Sequence, residues 1–157
     1  NAVVADAARF ASLERSTAVR FETDLADDLP RAHASASQLT QVVLNLLLNA
    51  KHALAGCADP RIAVCTRATP EGVEVRVCDN GPGVPPAIRA RIFDPFFTTR
   101  APNEGTGLGL SIAFDIVREH GGTLELEEPA ADDAAGATFV VRLPRADAGG
   151  ARPPDGD

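Results

Sequence analysis

Two asparagines and a histidine recur along one face of a predicted helix. At 100° per residue, one stripe beside the apolar face of this helix holds Gln41, Asn45, Asn49 and His52. A buried amide without a partner costs about 1–3 kcal/mol, so two amides one turn apart require an explanation. One explanation is a solvated helix edge. The recurrence favours the other, a polar cleft whose amide oxygens suit a hard cation such as Mg²⁺.

A carboxylate closes a predicted strand. Asp79 ends the stretch "GVEVRVCD", and Asn-Gly follows it. Asn-Gly after a strand is typical of a hairpin, but three prolines in the next seven residues exclude a second strand. Gly81 and Gly83 instead permit a close backbone approach. A buried aspartate needs a hydrogen-bond donor, and the exocyclic amine of a nucleotide base is a suitable one.

A glycine-rich loop leads into another predicted helix. "GTGLGL" places Gly105, Gly107 and Gly109 before "LSIAFDIVREHGG". The loop matches neither the Rossmann fingerprint nor a Walker loop. Backbone N–H groups at a helix start attract anions, and glycines let a phosphate come close. A flexible linker is the alternative reading, but the interleaved leucines tie the loop to the core.

Aromatic and basic residues precede that loop. After Asp79, regular patterning stops for about 25 residues rich in Pro and Gly, which is long for a structureless connection and indicates a lid or binding loop. This stretch contains "FDPFFTTR", whose three phenylalanines we interpret as anchors. Arg89, Arg91 and Arg100 bring positive charge to an otherwise acidic chain, as an anionic ligand would require.

Periodicity predicts the elements that position these residues. A short amphipathic helix covers residues 3–14, and a long core helix follows an S-x-x-Q capping box at Ser35 and Gln38. "AIRARIF" is predicted to be helical, and "LSIAFDIVREHGG" is the second core helix. The predicted strands are "AVRFETDL", "RIAVCTR", "GVEVRVCD", "TLELE" and "ATFVVRLP". Helices and strands do not alternate regularly, which indicates the α+β class.

Composition excludes several kinds of partner. The 157 residues carry a net charge of -7, so no broad basic surface is available for nucleic acid or anionic lipid. No apolar run approaches the roughly 20 residues of a membrane helix. Three cysteines in no metal or disulfide spacing indicate reduced thiols, and we expect a cytoplasmic location even if the parent protein is membrane-anchored.

Four motifs in order resemble the catalytic and ATP-binding domain of sensor histidine kinases, in the superfamily shared with DNA gyrase. They are "QLTQVVLNLLLNAKHAL", "DNGPGVP", "FDPFF" and "GTGLGLSIA". The resemblance implies a two-layer sandwich: a mixed, mostly antiparallel sheet, about three helices on one face, and an ATP lid. It assigns residues 18–144 to the ATP-binding domain. Residues 1–17 would connect to an upstream dimerisation and histidine-phosphotransfer domain, and 145–157 would be a disordered tail.

The resemblance also implies a site for Mg²⁺ and ATP. Asn49 would be the metal ligand, Asp79 would bind the adenine amine, and Asn45 and Arg100 would be catalytic. The implied nucleotide-binding residues are Asn45, Asn49, His52, Asp79, Gly81, Gly83, Val84, Phe93, Thr98, Thr99, Arg100, Gly105, Thr106, Gly107, Leu108, Gly109, Leu110 and Thr138. Ala137 departs from the family, which often has threonine there.

The identity of residue 45 indicates the acceptor of the phosphoryl group. Water-using members of the superfamily carry a glutamate base at this position, and the amide of Asn45 cannot accept a proton. The resemblance therefore implies transfer to a histidine of the upstream domain, relay to a response regulator, and a homodimeric parent. It implies neither nucleic-acid binding nor direct membrane contact. The alternatives are a stand-alone ATPase, a protein-serine kinase, and a non-catalytic nucleotide sensor.

Overall fold

The structure is a computed structural model that describes residues 1–13, 19–100, 105–127 and 136–146. Its helices are α1 (Ala2–Leu13), α2 (Ala36–Ala53), α3 (Pro86–Arg89) and α4 (Gly109–Glu119). Its strands are β1 (Arg20–Leu25), β2 (Arg61–Ala68), β3 (Gly72–Asp79), β4 (Thr123–Glu127) and β5 (Thr138–Pro144). Residues 14–17 of the expected connection, 101–104 of the expected lid and 147–157 of the expected tail lie outside the described residues.

The described strands form one mixed sheet in the order β1-β2-β3-β5-β4. β1 and β2 are parallel, and the other three pairs are antiparallel. In β3, Val73, Val75 and Val77 are buried, whereas Glu74 and Arg76 lie on the opposite, partly exposed face. This alternation gives the sheet one apolar face, which the helices cover. The predicted α+β sandwich with a mostly antiparallel sheet is confirmed.

The core lies between the sheet and three helices. Each helix buries one apolar stripe, as the 3.6-residue period requires. The buried helical residues are Val4, Ala7, Ala8 and Ala11 of α1, Val42, Val43, Leu46, Leu47 and Ala50 of α2, and Ala113, Ile116 and Val117 of α4. The small side chains of α1 let it pack closely on α2. Residues 1–13, which the sequence assigns to a connection, thus contribute to the same core as α2 and α4.

Two local predictions were wrong. The helix predicted at "AIRARIF" is only the single turn α3. Ser35 is the N-cap of α2, but the expected capping box with Gln38 does not form, because the Ser35 hydroxyl lies 3.0 Å from the Ser37 hydroxyl. The backbone N–H of Ser35 donates instead to Nε2 of His120 at 3.1 Å, and His120 Nδ1 lies 2.8 Å from the Ile116 carbonyl oxygen. A distant imidazole therefore replaces the local cap and joins the start of α2 to the end of α4.

Candidate functional site

A cleft of about 450 Å³ separates α2 from the glycine-rich start of α4. The structure brings most of the predicted site residues together in its wall: Asn45, Asn49, His52, Gly83, Val84, Thr98, Thr99, Arg100, Gly105, Thr106, Gly107, Gly109 and Leu110. The predicted residues that do not line this cleft are Asp79, Gly81, Phe93, Leu108 and Thr138.

The amides of α2 both have hydrogen-bond partners in this cleft. The Asn45 amide nitrogen donates to the Gly109 carbonyl oxygen at 2.9 Å, and the Asn49 amide oxygen accepts from Arg100 Nη2 at 3.1 Å. Both asparagines are half-buried. Because each amide is satisfied, the penalty of an unpaired buried polar group does not arise. Of the stripe seen in the sequence, Asn45, Asn49 and His52 thus line a polar cleft, whereas Gln41 is exposed and lies outside it.

The amide oxygen of Asn49 is chemically suited to Mg²⁺. It is a hard oxygen donor, and the guanidinium of Arg100 already places a cation against it. Among the described residues, no group of three or more His, Cys, Asp or Glu side chains is placed to hold a metal. Asn49 therefore fits a site with few protein ligands, in which the cation takes its other oxygens from phosphates and water, as Mg²⁺ commonly does.

The basic residues around the cleft are held by different contacts. Arg100 and His52 line the cleft, and the Nδ1 atom of His52 lies 2.6 Å from the Leu48 carbonyl oxygen. Arg89 Nε donates to the Val84 carbonyl oxygen at 2.9 Å. The guanidinium of Arg91 lies 4.6 Å from the centre of the Phe97 ring. The sequence predicted mobile positive charge at all three arginines, but Arg100 alone of the three lines the cleft.

Asp79 lies at the end of β3 with an exposed fraction of 9%. Its Oδ1 atom accepts from the N–H groups of Gly81, at 2.9 Å, and Ala137, at 3.4 Å. Burial raises the pKa of Asp79 above the ordinary value, and these two hydrogen bonds oppose the rise without cancelling it. None of the described residues donates a hydrogen bond to Oδ2 of Asp79, so this oxygen can accept one from a ligand.

Glycines are required where backbone segments meet at this end of the sheet. A Cβ on Gly81 would lie 2.9 Å from Oδ1 of Asp79 and 3.2 Å from the Ala53 carbonyl oxygen. Gly83 has φ +72°, and a Cβ there would lie 2.8 Å from the Gly136 carbonyl oxygen. Both contacts are too close for a side chain. Thr138 begins β5 opposite Cys78, is half-buried and does not line the cleft.

The glycine-rich segment forms the opposite wall of the cleft. Leu108 is the N-cap of α4, and its N–H donates to the Thr106 hydroxyl at 3.4 Å. Gly107 has φ +67°, and a Cβ there would lie 2.5 Å from the carbonyl carbon of Phe96. The segment therefore packs directly on the backbone of residues 96 and 97. The first N–H groups of α4 face this region without intrahelical partners, as at any helix start, and suit an anion.

The three phenylalanines of "FDPFF" have three different surroundings. Phe93 stacks on Phe114 at a centroid distance of 5.1 Å and meets the edge of Phe139 at 6.4 Å, so it is a core residue and not a wall of the cleft. Phe97 lines the cleft. Phe96 is 73% exposed and has φ +64°, a strained value for a non-glycine residue. Phe93 is thus an anchor within the domain, as the sequence suggested for the cluster, and it does not line the cleft.

The sequence missed the apolar part of the wall. Leu48, Ala53, Pro85, Ile88, Ile92, Phe97 and Phe139 also line the cleft but were not among the predicted contacts. Their residue types are those of an ordinary core, so type and spacing do not distinguish them. The one available signal was the i, i+4 spacing of Ile88 and Ile92, beside a loop already predicted to bind a ligand.

The fold and the cleft together define a class of protein. An α+β sandwich with paired amides and an anion-binding helix start in its cleft, and with a buried carboxylate at the end of β3, is suited to a nucleotide. Residues 34–147 match the family described as histidine kinase-, DNA gyrase B-, and HSP90-like ATPase, and the chain belongs to this family. No helix in the described part of the chain is both long and apolar enough to span a membrane.

Similar proteins place the chain more closely within this family. It is 50% identical over 116 residues to the two-component sensor PprA of Pseudomonas aeruginosa, covering 71% of this chain and 12% of PprA. It is 40% identical over 130 residues to the sensor histidine kinase ZraS of Escherichia coli, covering 83% of this chain and 26% of ZraS. The chain thus spans about a quarter or less of these two relatives.

Solved structures of histidine kinases have the same fold. A mycobacterial sensor histidine kinase, MprB, superposes with a TM-score of 0.77 at 30% identity, over 91% of this chain and 93% of that one. Full-length ShkA in complex with AMPPNP gives a TM-score of 0.74 at 28% identity, over 91% of this chain and 29% of that one. The expected type of ATP-binding domain is therefore confirmed.

Proposed function

We propose that this domain binds Mg·ATP in the cleft between α2 and α4 and is the kinase half of a sensor histidine kinase. It would transfer the γ-phosphoryl group to a histidine of a separate dimerisation and phosphotransfer domain, for relay to an aspartate of a response regulator. The parent would act as a homodimer with this domain in the cytoplasm. The sensor kinases PprA and ZraS and the AMPPNP-bound ShkA support this assignment by similarity.

The observation that carries the proposal is the composition of the cleft wall. Asn45 and Asn49 face the glycine-rich start of α4, and the lining residues include no carboxylate among the described part of the chain. A carboxylate base is what a water-activating ATPase needs. The cleft therefore suits binding and orientation of the nucleotide phosphates, with the acceptor supplied by another domain.

The adenine and the phosphates would contact different groups of residues. Asp79 would accept the adenine amine at Oδ2, with the base bordered by Gly81, Gly83, Val84, Leu110 and Thr138. The triphosphate would lie along residues 105–109 at the start of α4, near His52, Thr98 and Thr99. When bound, Mg²⁺ would neutralise phosphate charge, with Asn49 as its protein ligand. Arg100 would stabilise the charge on the transferring group.

The reaction is a displacement at phosphorus. A ring nitrogen of the acceptor histidine would form a bond to the γ-phosphorus while the bond to the bridging oxygen breaks, and ADP would carry away the electron pair. The acceptor ring would give up its N–H proton to solvent or to a neighbouring base of its own domain. The amide of Asn45 has no role as a base in this scheme, because it cannot take a proton at neutral pH.

Calorimetry with Mg·ATP on the 157-residue chain tests the site. We expect one-site binding that Asn49→Ala and Asp79→Asn both weaken by at least about tenfold, the equivalent of one charge-assisted hydrogen bond. Gln41→Ala is the matched control, because Gln41 lies on α2 but is exposed and does not line the cleft. Equal binding by the two site variants and the control would contradict the site assignment.

A second experiment tests the reaction. The phosphotransfer domain of the parent protein, added with Mg·ATP, should acquire acid-labile phosphate only in the presence of this chain. Steady release of phosphate without an acceptor would instead indicate a stand-alone ATPase, and alkali-stable serine phosphate on a partner would indicate a serine kinase. Nucleotide binding without either reaction would indicate a sensing module.

A further inference from the structure

The atom best suited to bind the metal already binds a cation of the protein. Nη2 of Arg100 donates to Oδ1 of Asn49 at 3.1 Å, inside the cleft that both residues line. The two residues are half-buried. A guanidinium on an amide oxygen is a charge-assisted hydrogen bond, stronger than a neutral one. Asn49 thus has a positively charged hydrogen-bond partner within the protein itself.

Neighbouring contacts hold Arg100 in this position. The backbone N–H of Arg100 donates to the Thr98 hydroxyl at 3.1 Å. A Cβ on Gly105 would lie 3.0 Å from both Cδ and Nη1 of Arg100, so the arginine side chain lies against the backbone of Gly105. The guanidinium is therefore enclosed between α2 and the glycine-rich segment.

Mg²⁺ and this guanidinium would compete for the same atom, the amide oxygen of Asn49. Two cations on one amide oxygen would lie within a few ångströms of each other, and their repulsion is large in a partly buried site. Among the described residues, the cleft wall has no carboxylate that would offset the added charge. We therefore expect a divalent cation at Asn49 to displace the guanidinium from this oxygen.

We propose that Arg100 is a built-in competitor that keeps free divalent cations away from Asn49 until a nucleotide enters. The inference rests on the proposed function, since it takes Asn49 as the metal ligand. Nucleotide phosphates provide the alternative partner for Arg100, because a guanidinium binds a phosphate more strongly than an amide oxygen. The arrival of the phosphates thus releases Asn49, and the cation is admitted together with the nucleotide.

The test is a titration of the nucleotide-free chain with Mn²⁺ alone, followed by paramagnetic broadening of the Asn49 side-chain amide signal in NMR spectra. The Arg100→Ala variant should reach half-broadening at an Mn²⁺ concentration about tenfold lower than the parent chain, the equivalent of one charge-assisted hydrogen bond. A second readout is the ratio of ATP dissociation constants without and with Mg²⁺. This ratio should rise in Arg100→Ala, because the variant loses the protein cation that otherwise meets the metal-free phosphates.

Arg91→Ala is the matched control. It removes one positive charge from the same loop, but Arg91 contacts Phe97 and Asp94 and does not line the cleft. Equal Mn²⁺ affinity in Arg100→Ala and Arg91→Ala would overturn the inference, since the effect would then be one of net charge. If the parent chain binds Mg·ATP and this equality holds, only the present inference fails. If the parent chain binds no Mg·ATP at all, the proposed function fails first.

Discussion

The side-chain amide of Asn45 donates a 2.9 Å hydrogen bond to the carbonyl oxygen of Gly109, the first residue of α4. This bond joins the middle of α2 to the point where the glycine-rich segment becomes a helix. Gly109 also packs on Asn45, because a Cβ there would lie 3.8–3.9 Å from three atoms of that side chain. Asn45 is therefore a positioning residue for the proposed phosphate-binding helix start. Its amide also cannot act as a general base.

Asn45→Asp should weaken this connection. A carboxylate cannot donate, and at neutral pH it would place a negative oxygen against the Gly109 carbonyl. We expect the free energy of unfolding to fall by about 1–3 kcal/mol, the cost of an unmade buried hydrogen bond. Urea denaturation at pH 7 measures this loss. The same variant should bind Mg·ATP more weakly, because the added negative charge repels phosphates.

Gln41→Glu is the control for this change. It makes the same amide-to-carboxylate substitution one turn earlier on α2, at an exposed residue outside the cleft. Its stability should stay within about 0.5 kcal/mol of the parent chain, as is usual for surface changes. Equal losses in the two variants would show that helix charge, and not the bond to Gly109, is responsible. A glutamate at position 45, as in the water-using members of the superfamily, would also lack the amide that donates to the Gly109 carbonyl oxygen.

Gly107→Ala should disrupt the packing of the glycine-rich segment. The added Cβ would meet the Phe96 carbonyl carbon at 2.5 Å, its oxygen at 2.7 Å and the Phe97 carbonyl oxygen at 2.8 Å. These are backbone atoms, so the loop must move. We expect a loss of about 2–4 kcal/mol from overpacking and left-handed strain together, measured by thermal and chemical denaturation.

Gly56→Ala separates these two causes. Gly56 has φ +83°, close to the φ of +67° at Gly107, but nothing lies within 4 Å of its added Cβ. This variant should lose only the conformational part, about 1 kcal/mol. A Gly107→Ala variant no less stable than Gly56→Ala would mean that the contact with residues 96 and 97 is not maintained in solution.

Much of the fold could be predicted because local periodicity reports burial. The apolar repeat of α2 and the alternation of β3 each follow from one buried face, and a sequence displays such patterns directly. The capping of α2 could not be predicted in this way. His120 is 85 residues from Ser35, and no local rule pairs them. The parallel pairing of β1 with β2 is likewise set by tertiary contacts and not by local sequence.

In the candidate site, too, some features could be predicted from the sequence and others could not. Polar residues such as Asn49 and Asp79 were predicted because a buried amide or carboxylate needs a partner and so attracts attention. Phe93 was placed at the nucleotide, although its ring belongs to an aromatic cluster with Phe114 and Phe139. Its type suits either setting. The hydrogen bond between Arg100 and Asn49 could not be predicted from the sequence, since the two residues are 51 positions apart.

Asp79 should give the domain a measurable pH dependence of stability. Burial raises its folded pKa above the ordinary 3.8, so as the pH rises from 3.8 to the folded pKa, the unfolded chain loses the proton while the folded chain keeps it. Unfolding is then favoured by rising pH through this window, and the effect levels off above the folded pKa. Asp79→Asn should lack this slope, since Asn can still accept from Gly81 and Ala137 but does not ionise.

The measurement is the difference in unfolding free energy between Asp79→Asn and the parent chain from pH 4 to pH 7.5. The difference should shift in favour of the variant as the pH rises. Asp28→Asn provides the control, because Asp28 is an exposed carboxylate. A difference that stays constant with pH, or that shifts toward the parent chain, would contradict the raised pKa of Asp79.

Lys51 should hold α1 on the domain. It is the only lysine in the sequence and is 6% exposed, and its ammonium donates to the Ala11 carbonyl oxygen near the end of α1 at 2.9 Å. Lys51→Met removes this donor from a helix end whose carbonyls need partners. We expect a loss of about 1–3 kcal/mol and faster amide hydrogen exchange in α1 than in α2 or α4. Lys51→Arg, which keeps a cationic donor, should lose less.

In the parent chain, the Lys51 amine should react with acetic anhydride more slowly than the N-terminal amine. Rapid acylation of Lys51, or full stability in Lys51→Met, would show that this hydrogen bond does not hold α1 on the domain.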